Sequence, residues 1–145
     1  MKRANVIALF LILISSFVYA QEAISWKVSV VVAPEMIQSF IKGGRLILHV
    51  TKQHEREPRL RSEITFGLTP QNWAANSPFI LDSKDKNVLN IGLDKLKPNA
   101  SEKYYFQVVY KQNIDDGQEN VAGNLYSNID SVYFSNNIQL NLTLN

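Results

Sequence analysis

The sequence predicts an all-β domain built as a sandwich of two sheets. Apolar and polar side chains alternate through most of the chain after residue 23, which is the pattern of strands that bury one face. Short turn-forming segments separate these runs, and no series of long helices alternates with them. Seven or eight short strands at this spacing favour an antiparallel sandwich over a parallel α/β sheet.

The alternation locates the strands in order along the chain. The clearest runs lie at 24–32, 46–50, 89–93, 104–110 and 138–144. Shorter candidates lie at 64–68, 79–82 and 129–134. Residues that favour turns separate them at 43–44, 76–78, 97–101, 115–117 and 135–137.

One segment departs from the two-residue period. Between Pro34 and Lys42 the apolar residues have the spacing of one helix face; they are Met36, Ile37, Phe40 and Ile41. A proline stands near the start of this segment and Gly43 follows its end, as is typical of helices. We therefore expect one short helix that crosses between the sheets and caps one end of the sandwich.

A tyrosine pair suggests the type of sandwich. Leu96, Lys97 and Pro98 lead into Tyr104 and Tyr105. This arrangement resembles the corner before a late strand of immunoglobulin-like sandwiches, where a tyrosine hydroxyl bonds back to nearby backbone. Ordinary aromatic packing is the alternative explanation. The predicted fold class is an immunoglobulin-like antiparallel β-sandwich of seven or eight strands with one short helix.

The first twenty residues have the character of a signal peptide. Lys2 and Arg3 precede an apolar run, and Val18 and Ala20 stand three and one positions before a cut at Gln21. The run is shorter than the roughly 18–20 apolar residues that a membrane span needs. We expect residues 1–20 to be removed on export and residues 21–145 to form a single domain, periplasmic or secreted, without membrane insertion.

The composition narrows the possible partners and the forces that hold the domain. The chain has no cysteine, so packing and backbone pairing must hold the domain without disulfides. Without Lys2 and Arg3 the 15 basic residues become 13, which equals the 13 acidic residues. A net charge of zero provides no general attraction to nucleic acid or anionic lipid, and we expect no nucleic-acid partner.

The residues that could carry catalysis form no recognisable motif. The sequence has no Gly-x-Ser-x-Gly elbow, and neither His49 nor His54 has an obvious serine and carboxylate order around it. We therefore predict no enzymatic activity and no cofactor. The alternative is a small secreted hydrolase with dispersed catalytic residues, for which the candidates are His54, Glu57 and Asp82.

Metal sites and anion sites are also weakly indicated. The two histidines are poorly spaced for a shared metal, and residues 113–119 miss the ligand spacing of a calcium loop, so no metal is expected. The mixed charges at 52–63 favour a solvated loop or edge strand, with an anion site at Arg59 and Arg61 as the alternative. Trp73 lies in a loop, where it either plugs the sandwich or offers a flat face to a ligand.

Several short segments occur together in a recognisable order. They are Gly44-Arg45-Leu46, Glu57-Pro58-Arg59, Phe66-Gly67 followed by Asn72-Trp73, Phe79-Ile80-Leu81-Asp82, Tyr104-Tyr105-Phe106-Gln107 and Gly123-Asn124-Leu125-Tyr126-Ser127. The set resembles the β-sandwich accessory domain found N-terminal to the catalytic domain of putative bacterial esterases of the α/β-hydrolase type. The resemblance covers about residues 24–134 and includes no hydrolase domain, so no catalytic residue is carried over.

The resemblance implies an exported noncatalytic accessory or binding module of unknown ligand. Four tentative ligand-binding residues match recurrent positions of that domain, namely Arg59, Trp73, Asn124 and Tyr126. They are either structural pins of loops or part of a surface used toward a protein or glycan partner, which could be an esterase. If they bind a ligand, Arg59 and Trp73 should share an exposed face. A further alternative is a protein-protein interaction domain that pairs through the edge strand at 138–144.

Overall fold

Nine strands form two stacked sheets in the computed structural model, which describes residues 24–97, 99–135 and 137–145. In chain order they are β1 (Ser25–Val32), β2 (Arg45–Thr51), β3 (Ile64–Leu68), β4 (Phe79–Asp82), β5 (Leu89–Ile91), β6 (Asn99–Lys111), β7 (Leu125–Tyr126), β8 (Asp130–Phe134) and β9 (Asn137–Leu144). The predicted all-β sandwich is confirmed, with one or two more strands than expected. The proposed signal peptide lies outside the described residues.

The two sheets differ in size. The smaller contains β4, β1 and β9 in that order, and the larger contains β5, β3, β2, β6 and β7, with β8 also paired to β6. All pairings between these strands are antiparallel except that of β1 with β9, which is parallel over eight residue pairs. The antiparallel prediction fails there because a two-residue period fixes the buried face of a strand but not its direction.

The core lies between the two inner faces. Trp26 of β1 packs on Phe66 of β3 across the sandwich, with ring centroids 4.4 Å apart. Leu48 of β2 and Phe106 of β6 are buried on the same side of the larger sheet, and Leu140 of β9 is buried opposite them on the smaller. The alternation that predicts the strands therefore also identifies the residues that fill the interior.

The predicted crossover helix is a 3₁₀ helix at Pro34–Ser39, which links β1 in one sheet to β2 in the other. Its proline provides a suitable φ at the start, and none of its residues is buried. Two single-turn 3₁₀ segments lie at Pro58–Leu60 and Leu93–Lys95. No helix in the described ranges has the length and apolar character needed to cross a membrane.

The tyrosine corner is present at the start of β6. The Tyr104 hydroxyl is buried with its ring and donates to the Lys97 carbonyl oxygen at 3.4 Å. This bond ties the loop before β6 to the strand, as in the immunoglobulin-like corner.

Candidate functional site

The outer face of the larger sheet is unusual because much of it is buried. Side chains that point away from the core are nevertheless buried at His49, Thr51, Gln107, Val109 and Lys111. Two loops, residues 52–63 and 112–124, contact this face through their side chains. We call the region under these loops the covered half of the outer face.

A row of three polar side chains fastens both loops to the sheet. The buried His49 ring places Nδ1 2.9 Å from Ser62 Oγ and Nε2 2.7 Å from Glu119 Oε2. The hydrogen bond to His49 lowers the pKa of Glu119, assisted by the positive charges of Lys111 and Arg45 and opposed by burial. The row joins one strand residue to residues 13 and 70 positions away in the sequence.

Arg59 is held within the covered half. Its Nε donates to Glu57, its Nη1 donates to Asn120 Oδ1 at 2.7 Å, and its guanidinium lies 4.6 Å from the centre of the Tyr126 ring. The Arg59 side chain is only 18% exposed. The bond from Arg59 is also the main cause that lowers the pKa of Glu57. The Nε, one terminal nitrogen and one face of this arginine are therefore engaged by the protein itself.

Asn124 and Tyr126 hold the loop at 112–124. Asn124 accepts a hydrogen bond from the Gln112 backbone at 3.0 Å and donates to the Glu119 carbonyl oxygen at 2.8 Å. The Tyr126 hydroxyl donates to the same carbonyl at 2.7 Å. These contacts match the loop-pin interpretation of the two residues.

Trp73 lies elsewhere, in the core at one end of the sandwich. Its ring is 5% exposed, packs edge-on against Phe40 and Tyr110, and donates through Nε1 to the Ser77 carbonyl oxygen at 2.8 Å. The structure thus brings Arg59 into contact with Tyr126 and places Asn124 beside them. It does not place Trp73 with them on an exposed face.

The three residues suggested for a hydrolase are separated. His54 is exposed and its ring centre lies 6.0 Å from that of Tyr105. Glu57 is bonded to Arg59, and Asp82 lies in the smaller sheet, where it pairs with Lys27 at 3.2 Å. Their positions provide no common reaction centre.

The rest of the outer face is open and contains a groove at Arg45. Two adjoining clefts, of about 540 Å³ and 460 Å³, share Arg45 and Thr69 as lining residues. The larger extends past Asn87 to Leu89 on β5, and the smaller extends toward Glu119. We call the two clefts together the Arg45 groove, and their size suits a small ligand or a short stretch of chain.

Gly67 of β3 explains why the Arg45 side chain can lie in this groove. A Cβ atom at position 67 would stand 3.0 Å from Arg45 Nη2 and 3.2 Å from Nε, so the guanidinium rests against the glycine backbone. Within the described ranges Arg45 makes no ion pair and its side chain makes no hydrogen bond. The guanidinium therefore keeps all of its donors for another molecule or for water.

The charges lining the smaller cleft are unbalanced. Arg45 and Lys111 provide two positive charges, and Glu119 provides one negative charge that is already bonded to His49. The Lys111 ammonium donates to the Asp116 carbonyl oxygen, which is uncharged. The smaller cleft thus has an excess of one positive charge, whereas the Arg45 groove as a whole is balanced, because Asp85 lines the larger cleft.

The sequence alone does not predict the Arg45 groove, although Arg45 and Gly67 both belong to the short segments that carry the family resemblance. A glycine inside a strand often marks a close backbone approach by another group, and Gly67 has this role toward Arg45. That signal could have identified the groove, but the partner strand and register were needed to choose Arg45.

In the parts of the chain that the structure describes, no group of three or more histidine, aspartate and glutamate side chains is arranged to hold a metal ion. Comparison of the chain with family models, curated proteins and solved structures found no match.

Proposed function

We propose that this chain is an exported, noncatalytic binding module whose ligand site is the Arg45 groove. The observation that carries the proposal is the state of the Arg45 guanidinium, which lies in a groove and makes no ion pair among the described residues, although Asp85 and Glu119 also line the groove. The other charged candidate, Arg59, is used to hold loops in place.

The physical argument rests on what an unpaired guanidinium can gain. Arg45 is partly buried, so some of its hydration has been lost without replacement by a protein carboxylate. Hydrogen bonds to charged groups contribute about 1.5–3 kcal/mol each, and a planar fork suits two such bonds to one anion. A ligand that completes these bonds therefore gains more at Arg45 than at Arg59.

The export part of the proposal is supported by the basic and apolar leader that ends at Ala20. The accessory role beside an esterase is supported by the ordered segments described above, which resemble such a domain. Intact mass measurement on protein recovered from outside the cytoplasm tests the first part. The proposal expects a chain that begins at Gln21, and an uncleaved chain would contradict export.

A chemical-shift titration tests the binding function. Purified ¹⁵N-labelled protein is titrated to millimolar concentrations with acetate, glucuronate, neutral disaccharides, and blocked acidic, neutral and basic peptides. The proposal expects at least one probe to shift the backbone amides of Gly67, Thr69 and Leu89 together, because these residues line one cleft. Amides of the opposite sheet, such as that of Val30, serve as the internal control.

The same titration can overturn the proposal. If no probe moves the groove amides while the spectrum shows a folded protein, the groove is not a ligand site. If a probe instead shifts only residues of β9, the site lies at an edge of the smaller sheet and the Arg45 assignment is wrong.

One observation favours a second candidate function, that of a serine hydrolase. Ser62, His49 and Glu119 form a hydroxyl, imidazole and carboxylate row with spacings of 2.9 and 2.7 Å, which has the residue types of a catalytic triad but the two ring nitrogens exchanged, with serine at Nδ1 and carboxylate at Nε2. Two features favour a structural role for the row instead. The Ser62 hydroxyl also lies 3.0 Å from Thr65 Oγ1, and the imidazole is 4% exposed beneath the loops that the row fastens.

Active-site labelling separates the two functions. A fluorophosphonate probe and a panel of nitrophenyl esters are applied to the protein and to Ser62→Ala. The binding-module proposal expects neither labelling nor turnover above background in either protein. Labelling that Ser62→Ala abolishes would establish the hydrolase and contradict the noncatalytic assignment.

A further inference from the structure

The rim of the Arg45 groove carries exposed apolar side chains. Leu89 and Ile91 of β5 are 62% and 72% exposed. Their pairing partners on β3 are Gly67 and Thr65, which face away from the core, so both side chains lie on the outer face beside the groove. A cation and two neighbouring aliphatic side chains therefore border the same open surface.

The β5 strand is also an unprotected edge. It pairs with β3 on one side and has no strand on the other among the described residues. Its residues are Leu89, Asn90 and Ile91, and they include none of the charges or prolines that usually discourage pairing at an edge. An extended chain can meet unpaired backbone groups here as well as aliphatic side chains.

The groove lacks the surface that sugars usually require. Its only aromatic lining residue is Phe79, which is half-buried and packs against Trp73 with ring centroids 5.5 Å apart. An exposed flat ring for stacking on a pyranose is therefore missing from the cleft lining, whereas the aliphatic rim suits peptide side chains.

We propose that the Arg45 groove binds an extended segment of a partner protein that carries an acidic side chain with apolar side chains two residues away, because side chains two apart in an extended chain point to the same face. The carboxylate bonds to the Arg45 guanidinium, and the apolar side chains pack on Leu89 and Ile91. This inference rests on the proposed binding function and adds the class of ligand. It is supported by the positive excess in the smaller cleft, where Arg45 has no ion pair among the described residues, by the exposed aliphatic rim and by the uncharged edge of β5.

A matched set of peptides tests the inference. The blocked pentapeptide acetyl-Val-Thr-Glu-Thr-Val-amide, whose glutamate and valines share one face when extended, is compared with versions that carry glutamine or lysine in place of glutamate, and with glucuronate. We expect the glutamate peptide to shift the amides of Gly67, Leu89 and Ile91. The glutamine peptide should bind at least about tenfold more weakly because it lacks the charge-assisted bond.

Three protein variants complete the test. Arg45→Gln should weaken binding of the glutamate peptide at least about tenfold by removing the charge. Gly67→Ala should weaken it without changing any charge, because the added Cβ would displace the guanidinium from its resting place. Arg61→Gln removes an exposed positive charge outside the groove lining and should leave the affinity unchanged.

The outcomes separate this inference from the proposed function. If glucuronate shifts the groove amides and the peptides do not, the groove is a ligand site but its ligand is an acidic glycan, and the inference is wrong. Equal affinity for the glutamate and glutamine peptides would also overturn it. If no probe reaches the groove in a folded protein, the proposed function fails as well.

Discussion

Arg45 and Arg59 lie over the same face of the larger sheet but in different surroundings. Arg59 bonds to Glu57 and Asn120 and stacks on Tyr126, whereas Arg45 rests on Gly67 and meets no carboxylate at ion-pair distance in the described chain. Arg59 borders a cleft of about 420 Å³ with Tyr126 but is bonded to its neighbours there, whereas Arg45 lies in its groove without such bonds. Both residues are arginines and both lie over the outer face of the larger sheet. The difference in their roles therefore comes from the neighbouring loops.

This difference separates a region that the protein uses for its own stability from one that it leaves open. In the covered half, polar side chains form hydrogen bonds with one another in place of water. These bonds hold two long loops against β2 and β6. In the open half, Arg45 and the aliphatic rim of β5 keep their bonding capacity. The substitutions below separate effects on the core and the covered half from effects on the open half, and Glu119 is the residue that borders both halves.

The largest effect is expected in the core, at the tryptophan that was a candidate ligand residue. Trp73→Ala removes a buried indole that packs on Phe40, Phe79 and Tyr110 and should lower the free energy of unfolding by about 3–5 kcal/mol. Urea denaturation measures the change. The milder Trp73→Phe retains most of the ring packing and should cost less. A small loss of stability together with a large loss of ligand affinity would show that Trp73 contributes to ligand binding rather than to the core.

The next effect is expected at Glu119, which joins the loop at 112–124 to the sheet. Glu119→Ala should lower the free energy of unfolding by about 1–3 kcal/mol, because it leaves the buried His49 ring without its partner. The lower part of this range is expected because the Glu119 side chain is 34% exposed and water can enter. Hydrogen exchange should rise in residues 112–124 and stay unchanged in β5. Faster exchange in β5 would show that the two halves are coupled.

Acid should act through the same carboxylate. The folded state lowers the pKa of Glu119 below its ordinary 4.5, so its contribution to stability is complete above that value and is lost as pH falls through the lower folded-state pKa. Unfolding measured at pH 7, 5 and 3 should show a smaller loss of stability toward pH 3 in Glu119→Gln than in the unmodified protein. An identical acid dependence in the two proteins would show that Glu119 does not contribute to the loss of stability at low pH.

A smaller effect is expected at Asn124, whose side-chain amide accepts one hydrogen bond and donates another. Asn124→Ala should cost about 1–2 kcal/mol, since the Gln112 amide and the Glu119 carbonyl both lose a partner. Asn124→Asp keeps the acceptor for Gln112 but sets a partly buried carboxylate against the Glu119 carbonyl oxygen, so it should cost at least as much. Thermal unfolding compares the two variants. If both leave stability unchanged, Asn124 is not a loop pin and belongs among the ligand candidates.

The smallest change in stability is expected in the open half. Arg45→Gln should alter the free energy of unfolding by no more than about 0.5 kcal/mol, because the side chain has no protein partner to lose. Arg59→Gln is the matched control and should cost more, since it breaks bonds to Glu57 and Asn120. Equal costs would contradict the division of the outer face.

The sequence was sufficient for the inner faces but not for the outer one. Alternation identified Trp26, Leu48, Phe106 and Leu140 as buried, because each strand must turn its apolar side toward the core. Alternation does not show whether β9 runs parallel or antiparallel to its neighbour. Its parallel pairing with β1 is visible only in the folded structure.

The covering loops were not predictable for a related reason. Their charged composition is equally compatible with full solvation, and the bonds that hold them join residues far apart in the sequence, as between Arg59 and Asn120. The same long separation hid the row at His49, since a motif search compares near neighbours. Asn124 and Tyr126 could be placed on a loop from the sequence, but their roles as pins depend on carbonyls that only the fold brings near them.

A single titration compares the two arginines directly. The Nε–Hε signals of Arg45 and Arg59 are resolved in the ¹⁵N spectrum and followed as the glutamate pentapeptide is added. The account predicts that the Arg45 signal shifts with saturation while the Arg59 signal stays in place, because the Arg59 Nε is already bonded to Glu57 and the Arg45 Nε has no such bond. A shift of Arg59 with Arg45 unchanged would contradict the account and return the ligand site to the covered half.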